Sequence, residues 1–262
     1  MAARLIFMEG VSGVGKTTLS AALFEGLRGL GHPARCFLEG DPESPLDLFQ
    51  TAYLTRARFE ELLRAHPDWA DELRKRSMPE ADYALVRYRN AAEEARFPDV
   101  LYQLLKEREF CYHPSNPLPL PEYANVFLSL WKRFVSAGTR AEGALIFDGS
   151  LLHHQINDLM RNYNASRAQI AAHVGALAQT VAALDPVVFY LSAGDVVEQL
   201  TRARLSRGQT PPTAEQTAFW QRRKEIDLWM LRGLPIESHV IEIDDCGYDA
   251  ARAAITAHCR RK

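Results

Sequence analysis

The chain has 262 residues, 24 % of them charged and 47 % hydrophobic, with a formal net charge of −2. This is the composition of an ordinary globular protein, and the mixing of both signs along the chain argues against a nucleic-acid partner or a polybasic membrane tether. No apolar stretch approaches the roughly 20 residues that span a bilayer. There is no room for a signal peptide before the first apolar run, and the four cysteines show no C-x-x-C spacing. The expectation is a reduced, cytoplasmic protein without a disulfide framework or zinc cluster.

Five short apolar runs predict strands: Arg4–Met8, Ala34–Leu38, Ala144–Phe147, Val187–Leu191 and Val240–Ile243. Continuous hydrophobicity without alternation suits strands buried on both faces of a parallel sheet. Between the first two, Leu19, Leu23, Leu27 and Leu30 share one helix face, and Gly31 follows as a C-terminal cap. A second helix is predicted over about 166–184, with Ile170, Val174, Leu177, Val181 and Leu184 as its stripe. Residues 42–143 form a long insertion, expected to be helix-rich, with apolar periodicity near Phe59–Leu63, Tyr83–Tyr88 and Val126–Phe134. Pro114, Pro117, Pro119 and Pro121 predict a stiff, extended connection within it. Right-handed crossovers would wind this β-α-β, insertion, β-α-β-α-β frame into one α/β domain over 1–262, with helices on both faces of the sheet.

Gly10-Val11-Ser12-Gly13-Val14-Gly15-Lys16-Thr17 matches the P-loop pattern G-x-x-x-x-G-K-[ST] in full. Glycines let such a loop curl so that successive N–H groups point at phosphate oxygens. Lys16 can reach the β- and γ-phosphates, Thr17 can take a Mg2+ position, and Thr18 lies in the same helix-opening turn. A strand precedes the loop and an amphipathic helix follows it, as the chemistry requires. The expected cofactors are ATP, with GTP left open, and Mg2+. No N/T-K-x-D guanine-reading motif appears. Leu205–Gln209 (LSRGQ) resembles an ABC signature only superficially, since Arg207 replaces its central glycine.

Residues Phe7–Gly31 (FMEGVSGVGKTTLSAALFEGLRGLG) resemble the opening of thymidylate kinases and related P-loop nucleoside and nucleotide kinases, chloramphenicol-type phosphotransferases included. The resemblance is close over about 25 residues and architectural beyond them. It implies a three-layer fold with a five-stranded parallel sheet ordered 2-3-1-4-5. It also implies a carboxylate at the second strand end, Glu39 or Asp41, that approaches the acceptor hydroxyl, and a Mg2+-linked acid at the third, Asp148. Gly149 stands where thymidylate kinases carry the arginine of an Asp-Arg pair, a departure from that activity. Arg202, Arg204 and Arg207 follow the fourth strand, where lid arginines cover the phosphates, with the lid over about 200–220 and its tip at Gln209–Glu215. Val240–Asp245 and Cys246-Gly247-Tyr248 would pack the nucleotide base.

The arginines Arg56, Arg58, Arg87 and Arg89, with Trp131, are candidates to line an acceptor pocket or are ordinary surface and core residues. His153 and His154 lie just past Asp148, in a position to face the cleft, but as neighbours on a helix they are expected to point in different directions, without metal ligation. The sequence thus predicts an ATP- and Mg2+-dependent phosphotransferase acting on a hydroxylated small-molecule acceptor, with a homodimer left open. The alternatives are a P-loop ATPase switch working through a protein partner, a nucleoside monophosphate kinase, and a nucleic-acid 5′-hydroxyl kinase, which the charge disfavours.

Overall fold

The structure is a computed structural model that describes residues 4–89, 96–137, 143–243 and 247–260. Asp244, Asp245 and Cys246 of the expected base loop, and the last two residues, Arg261 and Lys262, lie outside the described residues. In chain order, β1 (Arg4–Gly10), α1 (Lys16–Gly29) and β2 (Ala34–Phe37) come first. Next come β3 (Thr51–Thr55), α2 (Arg56–Ala65), α3 (Ala70–Lys75), β4 (Ser77–Pro79), β5 (Tyr83–Arg87), α4 (Asp99–Lys106) and α5 (Leu120–Ser136). The chain continues with β6 (Ala144–Asp148), α6 (His153–Asn162), α7 (Arg167–Val181), β7 (Val187–Ala193), α8 (Val196–Ser206), α9 (Ala214–Leu231), β8 (Glu237–Ile243) and α10 (Gly247–Arg260).

Five strands form a parallel sheet in the order β2-β6-β1-β7-β8. Its two faces are read directly from β1. Ile6 and Met8 pack with Leu19, Leu23 and Leu27 of α1 and Ile255 of α10. Leu5 and Phe7 face the other way, toward Trp131 of α5, Ile156 of α6 and Val174 of α7. Burial on both faces holds for the interior strands β1, β6 and β7. The edge strands differ: β8 is only half covered, with Val240 exposed, because one side lacks a neighbouring strand.

Ser166 opens α7 with a reciprocal capping box to Gln169, which satisfies two otherwise orphaned donors. After α1, Gly31 takes a positive φ of 77°, and its N–H and that of His32 return to the carbonyls of Arg28 and Leu27. No helix among the described residues is long and apolar enough to cross a membrane.

The insertion corrects two expectations. Tyr83–Tyr88 does not form a helix: β5 is the central strand of an antiparallel β3-β5-β4 sheet. Its side chains alternate, Leu85 facing the core under the parallel sheet while Ala84 and Val86 face a separate cluster with α2, α3 and α4. A run this short carries no period by which to tell strand from helix, and pairing with β3 and β4 decides it. The proline stretch is irregular only up to Pro119. Pro121 sits in the first turn of α5, where a missing N–H costs no hydrogen bond.

Candidate functional site

Residues Val11–Gly15 turn sharply between the carboxyl end of β1 and the amino end of α1. The turn demands glycine at three places, one of them Gly13, which has φ 81° and where a Cβ would lie 2.5 Å from Ala203 Cβ. Gly10 has φ 142°, and a Cβ there would lie 2.5 Å from the Leu191 carbonyl oxygen of β7. Gly15 has φ 92°, and a Cβ there would collide with the Tyr248 ring. From the other side α8 closes on the loop, with Gln199 donating to the Gly13 carbonyl at 2.6 Å.

Three polar side chains meet beside this turn. The Thr17 hydroxyl donates to Asp148 Oδ2 at 2.6 Å, joining α1 to the end of β6. Lys16, buried, donates from Nζ to the Val11 carbonyl at 3.2 Å and lies 3.4 Å from His153 Nδ1. Burial lowers the Lys16 pKa, while Asp148, Glu39 and Glu9 act in the opposite sense. Burial likewise raises the Asp148 pKa against the pull of Lys16 and the Thr17 hydrogen bond. Asp148 Oδ1 is buried without a hydrogen-bond partner among the described residues. An orphaned carboxylate oxygen beside a hydroxyl oxygen is a donor set suited to a small, hard divalent cation.

Beneath these lies Glu9, fully buried on β1, which receives the N–H groups of Leu151 at 2.7 Å and His153 at 2.8 Å. Burial outweighs those hydrogen bonds and pushes its pKa up to about 7. Arg223 of α9, also fully buried, pairs with Asp227 at 2.8 Å and donates to the carbonyls of Leu152 at 2.8 Å and His153 at 3.1 Å. Tyr190 donates to the same Asp227. The turn from β6 into α6 is therefore held from both sides, with its N–H groups taken by Glu9 and its carbonyls by Arg223.

That turn aims the two histidines. His153 stacks on Trp220 with ring centroids 5.6 Å apart and planes within 11°, and its Nδ1 is 2.9 Å from the Gly10 carbonyl. His154 places Nδ1 3.2 Å from Asp47 Oδ2 and Nε2 3.7 Å from Glu39 Oε1. Both are buried and both line the same cleft, with their rings directed at different partners. Burial acts to lower the His154 pKa, but Asp47 and Glu39 more than reverse it, to about 10. The Glu39 pKa is lowered, chiefly by its contact with His154.

The cleft has a volume of ≈ 940 Å³ and runs from the loop outward between β2, α6, α8 and α9. Of the sequence candidates, Ser12, Glu39, Arg204 and Arg207 line it, along with Arg89, whose guanidinium donates to the Gly40 carbonyl. Asp41 does not. Its carboxylate accepts from the Glu43 N–H at 2.8 Å and shapes a turn. Arg202 faces away, paired with the exposed Glu198 at 2.6 Å. It borders a separate pocket with Tyr248 and Glu242. Arg56 and Arg58 pair with Glu60 and Glu61 on the surface of α2, Arg87 donates to the Pro42 carbonyl, and Trp131 is core.

Sequence reasoning gave no role to Glu9, Asp47, Tyr112, Asp158, Trp220 or Arg223. Glu9 stands in the E-G dipeptide ahead of the loop, and Arg223 and Asp227 sit one helical turn apart. For the others no local pattern exists.

Among the described residues, the only three His, Cys, Asp or Glu side chains with converging ligand atoms are Glu237, His239 and His258, at the opposite end of the sheet. The Arg4 guanidinium already lies 3.4 Å from Glu237 and 3.1 Å from His258, so a cation occupies that position. Neither a comparison with protein-family models nor one with curated proteins finds a match to this chain.

Proposed function

We propose that this protein is an ATP- and Mg2+-dependent phosphotransferase acting on a hydroxyl group of a small molecule. The observation that carries the reading is the convergence of buried Lys16 with the Thr17–Asp148 pair behind His153, which lines the cleft together with Glu39. A P-loop-type fold is supported by the sheet order as well. Counting only the five parallel strands, β2-β6-β1-β7-β8 reads 2-3-1-4-5, and ligands of open α/β sheets bind beyond the carboxyl ends of the strands.

In this reading the N–H groups of Gly13, Val14, Gly15, Lys16, Thr17 and Thr18 face the phosphates, and the Lys16 ammonium offsets charge on the transferring phosphoryl group. Thr17 and Asp148 would hold Mg2+, which when bound would neutralise phosphate charge. The acceptor oxygen attacks the γ-phosphorus, the bond to the bridging oxygen breaks to leave ADP, and the acceptor proton passes toward Glu39. Catalysis is then mostly alignment and fixed charge, as phosphoryl transfer requires. Arg204 and Arg207 stand over the cleft as the phosphate-facing lid pair, and Arg202 with Tyr248 borders the base. Of the two acidic candidates, Glu39 is the better placed, because the Asp41 carboxylate is engaged in its own turn.

One observation favours the nucleoside monophosphate kinase alternative. Arg161 lines the cleft and stacks on Phe219 at 4.6 Å, and among the described residues no carboxylate lies within ion-pairing distance of it. Such a guanidinium suits a phosphorylated acceptor.

Mass spectrometry of products from MgATP and a fractionated cell extract tests the reading. A compound gaining one phosphoryl group, in equal yield with ADP, supports it. A phosphorylated nucleotide as product selects the monophosphate kinase. ATP hydrolysis stimulated only by a protein partner selects the switch, and no uptake of MgATP at millimolar concentration overturns the reading.

A further inference from the structure

The arginine expected after Asp148 is absent, and Gly149, at φ 75°, occupies its place. A carboxylate that approaches an acceptor hydroxyl beside a triphosphate is surrounded by negative charge. Unless a cation steadies it, it is pushed toward protonation or away from the phosphates. At Glu39 the nearest such group comes from another element. His154, 4 % exposed on α6, brings Nε2 to 3.7 Å from Glu39 Oε1, within ion-pair range and beyond a hydrogen bond.

Behind the imidazole stands Asp47, 3 % exposed, which belongs to the insertion and not to the parallel frame. Asp47 is itself fixed, accepting the Tyr112 hydroxyl at 2.6 Å and the backbone N–H groups of Leu48 at 2.7 Å and Phe49 at 3.2 Å. Tyr112 is held in turn: its N–H donates to Asp158 at 3.0 Å, and its backbone takes a φ of 66°. That conformation is costly for a bulky side chain and persists where the surroundings over-determine it. Its ring also meets the His154 ring edge-on at 5.2 Å.

We propose that His154 is the positioning residue that pins Glu39 for the acceptor, and that Asp47, delivered by the insertion and braced by Tyr112, fixes the imidazole for that task. The line Tyr112–Asp47–His154–Glu39 joins the insertion directly to the acceptor carboxylate. It deepens the proposed function and rests on Glu39 being the group that meets the acceptor. The charged and titratable groups around the imidazole are Asp47 from the loop before β3, Glu39 from the loop after β2, Tyr112 from the loop after α4, Asp148 from the end of β6 and His153 from the start of α6. The two neighbouring carboxylates outweigh the burial that would lower the ring's pKa and push it up to about 10.

The test is a mutant cycle on the whole chain with Glu39→Gln, His154→Gln, Asp47→Asn and the double variant E39Q/H154Q. The reaction read is single-turnover cleavage of MgATP, with water as the probe acceptor, and binding of a fluorescent ATP analogue serves as the control. H154Q and D47N are each expected to slow cleavage about 10- to 100-fold, the scale of a misplaced catalytic group, with the analogue bound as in the wild type. In the double variant H154Q should add little to E39Q, because the pin has lost what it holds.

A second readout needs no turnover. In 15N-histidine spectra at pH 8.5, His154 should show both ring nitrogens protonated, and D47N should abolish that state. Multiplicative losses in the double variant, or unchanged cleavage in H154Q, overturn the proposal, as does a neutral His154 ring in the wild type. If the wild type bound no MgATP, the kinase reading would fall while the ring spectra still decided whether the pin exists.

Discussion

The parallel sheet and the antiparallel sheet of the insertion handle polarity in opposite ways. The carboxyl end of the parallel sheet gathers Glu9, Lys16, Asp148, His153, Arg223 and Asp227, all buried. Beside β3, β4 and β5 the insertion cluster is apolar and aromatic, and buried Arg76, which follows α3, is paired with Glu72 of that helix at 2.7 Å. Burying a charge is expensive and persists where partners or function require it. On the proposed function, the difference puts the chemistry at the parallel sheet and leaves the insertion to shape the cleft. The insertion nonetheless lends the site Asp47 and Tyr112.

The largest expected effect separates the two regions. Lys16→Ala should reduce phosphoryl transfer from MgATP by about 10³-fold or more while leaving the thermal midpoint nearly unchanged. Full activity in that variant would remove the chemical role of the parallel sheet. Next, Leu85→Ala on β5 should destabilise the chain by about 3 kcal/mol in urea unfolding. Leu85 belongs to the core that also holds Phe7 and Phe147, so fluorescence and circular dichroism should report one shared transition. Two separated transitions would show that the insertion stands on its own.

The next effect is that of pH, at most ~5 kcal/mol by linkage. The folded-state pKa of His154, about 10, lies above its ordinary 6.5. The stability it contributes is thus full below 6.5 and is lost as pH rises toward 10. His154→Gln should flatten that part of the stability–pH curve, and an unchanged slope would mean that Asp47 and Glu39 do not hold the ring charged. The smallest change in stability belongs to Arg202→Ala, within about 0.5 kcal/mol, because its ion pair with Glu198 is exposed at both ends. Nucleotide titration checks whether the same variant weakens ATP binding several-fold, as a place beside the base requires.

Local residue order by itself determined the frame. The runs around Leu5, Ile146 and Val188 needed no partner to be read as strands, since a strand covered on both faces is apolar at every position. The spacing of Leu19, Leu23 and Leu27 set α1, and the glycines of 10–15 announced the turn, because each is a constraint within a few neighbouring residues.

Tertiary structure alone decided the rest. Tyr83–Tyr88 became a strand through β3 and β4, sequence-distant neighbours that supply its hydrogen bonds. His153 and His154 came to share one cleft because Glu9 and Arg223 seize the backbone on either side of them. Asp47 met His154 across more than a hundred residues. Contacts of that kind depend on which elements pack together, and no local periodicity or spacing encodes them.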